Sequence, residues 1–362
     1  MNPSKKYANV RFHIINESVH LSQLYTGFGM LEKSGKFICS YEQSPYYQLY
    51  SHGSRIITGT INRSIKLAYD MDDGDHIITE ILEWSDFYFK RSYSKAMHEG
   101  ISAKIQPLGL YYLVYGPRMG LARRLMKNLQ VIRQSKAIDM AKLLVLHSRL
   151  LSGLLSLKGG AAVNWYKRFE AGPNLKQNPK VIFMTQLWNT HNISNRQILE
   201  ERMEINKMRC ECIDLLRKEF PRQFYGGVYP SEYALALHKD FVIPDKKVFH
   251  KKNYLARMHA SDIGVTTMGL FGSNGGKLGE YVAASKAIVS ERLRYQVPGD
   301  FESGLNYLEF TTPEECVSQV RKLVDNPDLR FAMMLRNQTY YQSCLRPDVL
   351  VWNSLQKALG VQ

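Results

Sequence analysis

Short runs of β-branched and aromatic residues alternate with longer helical stretches along the whole chain. Parallel strands need a long crossover connection, usually a helix, so this alternation favours βαβ units around parallel sheets. The run 170–174 (Glu-Ala-Gly-Pro-Asn) has the composition of a linker and divides the pattern into two halves of similar size. Strands are predicted at 10–15, 37–41, 65–69, 86–91 and 110–115 in the first half and at 181–184, 224–229, 241–243 and 263–267 in the second.

The length of 362 residues exceeds that of a usual single domain. We therefore expect an N-terminal α/β domain over 1–172, a C-terminal α/β domain over 173–345, and a helix over 346–362 that packs back on the first domain. The five cysteines are scattered and show no Cys/His metal spacing, which favours a reducing compartment and no metal site. Since no apolar run reaches the roughly 18 residues of a membrane span, we expect a cytoplasmic protein.

A glycine-rich turn at 269–276 leads into a short predicted helix that carries Lys277 and Glu280 three residues apart. Residues at this spacing share a helix face, so the ammonium and the carboxylate can contact one ligand. The backbone amides of Ser273, Gly275 and Gly276 would favour phosphate oxygens, because unpaired N–H groups and the helix dipole attract anions. The alternative is a helix start whose glycines only make the turn and whose charged residues are solvated.

Much of the net charge of +15 lies in the segment 118–158, which has nine Lys or Arg and one Asp, a net +8. Leucines and methionines are interleaved with these charges, as expected of an amphipathic helix at an anionic membrane surface. The alternative is a pair of surface helices that pack on their own domain. Nucleic acid is not expected as a partner, because the segment has no interleaved aromatic residues for base stacking.

The second half of the chain resembles the donor-binding domain of GT-B glycosyltransferases of the group 1 kind. The resemblance is carried by the strand at 262–265, by the run from Lys277-Leu278-Gly279-Glu280-Tyr281 to 289, and by an Asp-Asn-Pro-Asp-Leu-Arg turn at 325–330. It implies an α/β fold of two Rossmann-like domains that face each other across a cleft. It also implies that Glu280 holds the ribose of a nucleotide sugar and that Lys277 approaches its phosphates. The family's second glutamate, eight positions before Glu280, is Gly272 here, which leaves the stereochemistry open.

The activity implied by the resemblance is transfer of a sugar from a nucleoside diphosphate donor to a glycan or lipid-linked acceptor. Such an enzyme would serve bacterial surface polysaccharide synthesis (lipopolysaccharide or capsule) and would be peripheral on the inner face of the membrane. Fixed positive groups can stabilise the leaving diphosphate, so no metal or other cofactor is required. Arg196 and Arg209 are further candidates for this role beside Lys277. The alternative to this role is, for both arginines, a surface ion pair.

An inverting route needs a base that removes the acceptor's hydroxyl proton. The acidic cluster at 70–76 follows a predicted strand. We expect Asp73 of this cluster to be that base, with Asp70 as the second candidate. A solvated acidic turn is the alternative. Arg91, at the end of the next strand, is expected to bind an anionic acceptor, with a structural ion pair as its alternative.

Two other functions are compatible with the sequence. The charge is also typical of a non-catalytic nucleotide- or nucleic-acid-binding protein, whose binding falls steeply with salt. A GT-B fold can also serve another reaction, such as sugar epimerisation.

Overall fold

The computed structural model describes residues 8–13, 18–42, 55–117 and 163–361. These residues form two α/β units, one around a six-stranded sheet and one around a five-stranded sheet. The predicted α/β fold of two Rossmann-like units is confirmed. The basic segment 118–158, with its predicted membrane-facing helices, lies outside the described residues.

The first sheet is mixed, whereas the sequence favoured a parallel one. Its order is β2-β1-β3-β4-β5-β6, and β3 runs antiparallel to both of its neighbours. Residues 62–64 form the turn between β3 and β4, and Asn62 and Arg63 have positive φ there (51° and 63°). The strands are β1 (Ala8–His13), β2 (Phe37–Glu42), β3 (Ile56–Ile61), β4 (Ile65–Asp70), β5 (Phe87–Lys90) and β6 (Ile105–Pro107).

The second sheet is parallel throughout, with the order β11-β10-β9-β7-β8. Its central strand β9 is buried at all four positions, as expected where helices cover both faces. The strand predicted at 241–243 is instead a 3₁₀ turn, Lys239–Phe241, followed by a single bridge from Val242 to Val228. The strands are β7 (Val181–Thr185), β8 (Phe224–Val228), β9 (Ile263–Thr266), β10 (Ala287–Glu291) and β11 (Leu308–Phe310).

Local capping residues determine where several helices begin. Asn195, Thr312 and Asn326 each accept a hydrogen bond from the first-turn amides of the helix that follows, and Pro occupies the first position of the last two of these helices. The helices are α1 (Ser22–Lys33), α2 (Thr79–Trp84), α3 (Lys95–His98), α4 (Arg196–Glu219), α5 (Glu232–Leu237), α6 (Lys251–Ala260), α7 (Gly276–Ala283), α8 (Pro313–Asp325), α9 (Pro327–Tyr340) and α10 (Pro347–Leu359).

The final helix α10 packs on the first unit. Its backbone approaches α1 so closely that a Cβ on Gly27 would lie 2.1 Å from the carbonyl oxygen of Pro347. The hydroxyl groups of Tyr69 in β4 and Ser354 in α10 form a buried hydrogen bond of 2.8 Å. The C-terminal residues therefore contribute to the core of the N-terminal unit.

The segment 110–115, predicted as a strand, packs between the two units instead. Leu110, Tyr111 and Tyr112 are buried in the same core cluster as Leu278 of α7. A Cβ on Gly279 would lie 2.6 Å from the carbonyl oxygen of Tyr111, so α7 rests directly on this segment. Among the described helices, none has the length and the apolar character to cross a membrane.

Candidate functional site

A cavity of about 1030 Å³ lies between the two units, and both contribute to its wall. From the first unit it is lined by residues at and beyond the end of β4, including Asp70 and Asp72. From the second it is lined by residues after β7 and β9, including Gln186 and Thr267. Ligands of open α/β sheets bind outside the carboxyl ends of strands, which is where this cavity is found.

The glycine-rich turn and the start of α7 form one wall of the cavity. Ser273, Gly275, Gly276 and Lys277, the residues predicted to bind the donor, all line it. Gly275 is the N-cap of α7 and has no side chain that could accept the first amides of the helix. These amides and the helix dipole make the wall suitable for an anion.

Lys277 and Glu280 form a partly buried cluster with a second lysine, Lys251 of α6. The Lys277 ammonium lies 3.4 Å from one carboxylate oxygen of Glu280, and Lys251 donates to the other. Burial raises the pKa of Glu280, but Lys251 and Lys277 outweigh it and lower this pKa to about 2. Burial also lowers the pKa of Lys277 to about 8. Lys277 lines the cavity, but Glu280, which was expected to hold the ribose, does not. Its carboxylate contacts Lys251 and Lys277 and so holds these two lysines in place.

The structure places the two candidate arginines differently. Arg209 of α4 is buried and lines the cavity, where its guanidinium donates to Thr267 Oγ1 (3.0 Å) and to the carbonyl oxygens of Gln186 (2.6 Å) and Met268 (3.1 Å). Burial lowers the pKa of Arg209 to about 10. Arg196, expected at the donor, does not line the cavity. It lies at the exposed start of α4 and pairs with Glu200 at 2.7 Å.

The acidic cluster forms the opposite wall, and its members differ in their partners. Asp70 is buried, with Lys90 at 2.9 Å and the Tyr88 hydroxyl donating to it at 2.6 Å. Asp73 lies between Arg55 at 2.5 Å and Arg91 at 3.0 Å.

The surroundings of Asp72 and Asp73, two half-buried carboxylates, set their proton affinity. Burial raises the pKa of Asp73, but Arg91 and Arg55 outweigh it, so this pKa lies below its ordinary value. Burial and the nearby Asp70 carboxylate raise the pKa of Asp72 above its ordinary value. Asp72 is therefore better suited than Asp73 to accept a proton, and Asp70 is engaged by Lys90 and Tyr88, so the expected order of candidates changes.

Arg91 connects the two walls. Besides Asp73, its guanidinium donates to the carbonyl oxygen of Asn274 in the glycine-rich turn at 3.5 Å, and it lies 4.6 Å from the ring centroid of Tyr111. The side chain lines the cavity but is only 8% exposed and is paired with Asp73, so the structural ion pair is present and acceptor binding by Arg91 stays a prediction. Another ion pair between the units joins Asp75 to Arg294 at 2.8 Å.

Sequence reasoning missed three residues of this site. Lys251 and Arg55 lie far along the chain from their carboxylate partners, so no local spacing indicates them. His20 packs 5.7 Å from the ring of Tyr111, and burial, with Arg55 and Arg91 nearby, lowers its pKa to about 4. The imidazole is therefore neutral near pH 7. In the part of the chain that the structure describes, no group of three His, Cys, Asp or Glu side chains could hold a metal ion.

No protein-family model matches the chain, and no curated protein matches it. Among solved structures, it is similar to the C-terminal domain of a glycosyl transferase group 1 family protein (LpcC) from Francisella tularensis, at 15% identity and a TM-score of 0.32, over 49% of this chain and 96% of that chain. It is similar to S. aureus TarM at 13% identity and a TM-score of 0.37, over 52% of this chain and 37% of that one.

A third similar structure is the UDP-GlcNAc 2-epimerase from Neisseria meningitidis, at 13% identity and a TM-score of 0.34, over 76% of this chain and 62% of that chain. The chain thus spans less than two thirds of the length of the epimerase and of TarM. TM-scores of 0.32 to 0.37 are too low to identify a family or a reaction. The reaction has to be inferred from the residues of the cavity.

Proposed function

We propose that the chain is a glycosyltransferase that moves a sugar from a nucleoside diphosphate donor to a glycan or lipid-linked acceptor. The observation that supports this proposal is that one cavity has two walls of different chemistry. The uncapped start of α7 and Lys277 line one side, and the carboxylate of Asp72 lines the other. Amides and an ammonium suit a diphosphate, whereas a carboxylate of raised pKa suits an acceptor hydroxyl.

In this mechanism the acceptor oxygen forms a bond to the anomeric carbon while the bond from that carbon to the diphosphate breaks. The electron pair leaves with the diphosphate, and the hydroxyl proton passes to Asp72. Lys277, Arg209 and the α7 amides stabilise the leaving charge, which is the usual role of preorganised donors at a developing anion. No step requires a metal ion. A direct displacement of this kind inverts the anomeric configuration, so a retained configuration in the product would reject the role of Asp72.

The test is a thermal-shift screen with UDP, GDP, ADP and their sugars. A donor that binds only the folded protein raises its melting temperature by linkage. We expect Lys277→Ala to lose the shift and Lys252→Ala, an exposed lysine of α6 outside the cavity lining, to keep it. No shift with any nucleotide sugar would reject the proposal. Product analysis then separates sugar transfer from epimerisation, and the absence of any turnover would favour a non-catalytic binding protein.

We propose further that the acceptor is a lipid carrier of bacterial surface polysaccharide, such as lipopolysaccharide or capsule, and that the enzyme works at the cytoplasmic membrane surface. The net charge of +15 and the basic segment 118–158 support this. Flotation with anionic vesicles tests it. Charge reversal at Arg123, Arg124 and Lys127 should reduce flotation, and unchanged flotation would contradict membrane docking.

A further inference from the structure

The same cavity has an aromatic wall that the sugar-transfer mechanism does not use. Tyr229, which follows β8, and Phe249, which precedes α6, both line the cavity. Their ring centroids are 5.3 Å apart and the rings meet edge to face at 83°. Tyr229 keeps 38% of its surface exposed. A large ring left open inside a concave site offers a flat apolar surface to a ligand.

The backbone on both sides of this ring is fixed. The Tyr229 amide donates to the carbonyl oxygen of Thr185 in β7, and its own carbonyl oxygen accepts from Ser231, both at 2.8 Å. Val228, the preceding residue, pairs with Thr185 in the parallel sheet. The backbone of Tyr229 is therefore held at the carboxyl end of β8, and its ring is supported by the edge-to-face contact with Phe249, as expected of a preorganised platform.

The aromatic pair lies on the same unit as the predicted phosphate site and is connected to it through Lys251. Phe249 precedes Lys251 by two residues, and Lys251 donates to Glu280, which lies one turn after Lys277 on α7. The aromatic pair, Lys277 and the uncapped helix start thus line the same cavity on one unit, while Glu280 lies outside the lining and contacts Lys277. A nucleoside diphosphate likewise combines a planar base with a diphosphate in one molecule.

We propose that Tyr229, supported by Phe249, is the stacking platform for the nucleobase of the donor, an inference that rests on the proposed function. Every base has a π-face, so stacking is tolerant of base identity. The platform therefore contributes affinity for the nucleoside part of the donor and none for its phosphates.

Calorimetric titration of UDP, GDP, ADP and inorganic pyrophosphate tests the proposal. Loss of one stacked aromatic should weaken binding by about tenfold or more. We expect Tyr229→Ala to weaken nucleoside diphosphate binding by this factor, to leave pyrophosphate binding unchanged, and to be rescued by Tyr229→Phe. Tyr225→Ala is the matched control, since Tyr225 of β8 lies under Arg257, 4.0 Å from its guanidinium, and outside the cavity lining.

The outcomes separate the two proposals. If Tyr229→Ala leaves nucleoside diphosphate binding unchanged, the stacking role of Tyr229 is rejected. The same holds if this substitution weakens pyrophosphate binding equally. Neither result contradicts the proposed donor site. A loss confined to the complete nucleotide sugar also overturns it, because the ring would then contact the sugar. A wild-type protein that binds no nucleoside diphosphate overturns both.

Discussion

Nucleoside diphosphate binding should weaken as the pH rises above about 8, because Lys277 loses its proton there. Burial lowers the pKa of this lysine to about 8, with Lys251 lowering it further and Glu280 opposing the shift. A bound diphosphate favours the ammonium form and raises this pKa, so binding takes up a proton once the free lysine is neutral. The dissociation constant should be flat below pH 8 and then rise about tenfold per pH unit.

Calorimetry between pH 6.5 and 9.5, in two buffers of different ionisation enthalpy, measures both the affinity and the proton uptake. Lys277→Arg should remove the pH dependence, because a guanidinium stays protonated throughout this range. Lys286→Arg is the control. Burial also lowers the pKa of Lys286 to about 8, but its ammonium donates to the carbonyl oxygens of His259 and Ser261, outside the cavity lining. A pH dependence that survives Lys277→Arg would refute this account of the donor site.

Three further predictions concern stability and turnover. The pKa of Glu280 is about 2 in the folded state and 4.5 as its ordinary value, so its charge contributes about 3 kcal/mol above pH 4.5, of which about 2 kcal/mol is lost by pH 3. Urea unfolding should show this loss in the wild type and not in Glu280→Gln. Gly27→Ala should lower the free energy of unfolding by more than 1 kcal/mol, roughly the cost of overpacking, because its Cβ would meet Pro347. The control Gly100→Ala, with no atom within 4 Å of its Cβ, should be almost neutral. Asp72→Asn should slow sugar transfer by about 100-fold or more while the dissociation constant of the donor stays unchanged, and an unchanged rate would exclude Asp72 as the base.

The features that sequence analysis predicted well are those with local causes. The helix α8 begins where Thr312 caps it and Pro313 takes its first position, and such a signal is local because a capping side chain reaches amides only two or three residues away. The spacing of Lys277 and Glu280 likewise determines that they share a helix face. The strand β3 was missed because its hairpin turn uses Asn62 and Arg63 in the left-handed region, where glycine is the usual signal.

The segment 110–115 shows the opposite case. Its apolar and aromatic composition predicts a strand, but it is an extended piece of chain buried against α7, with one isolated bridge from Tyr115 to Trp165. Strand composition reflects burial as much as backbone pairing. Only the packing of the two units decided between a sheet strand and a buried connection.

The sequence alone determined that the chain forms two α/β units and that a glycine-rich turn presents Lys277 at the start of a helix. The tertiary structure decided the chemistry of the opposing wall. Arg91 pairs with Asp73, and Arg55 lies closer to Asp73 (2.5 Å) than to Asp72 (3.7 Å), so these arginines lower the pKa of Asp73 while burial raises that of Asp72. Such a choice depends on distances between side chains brought together by folding, because electrostatic interactions act through space and not along the chain.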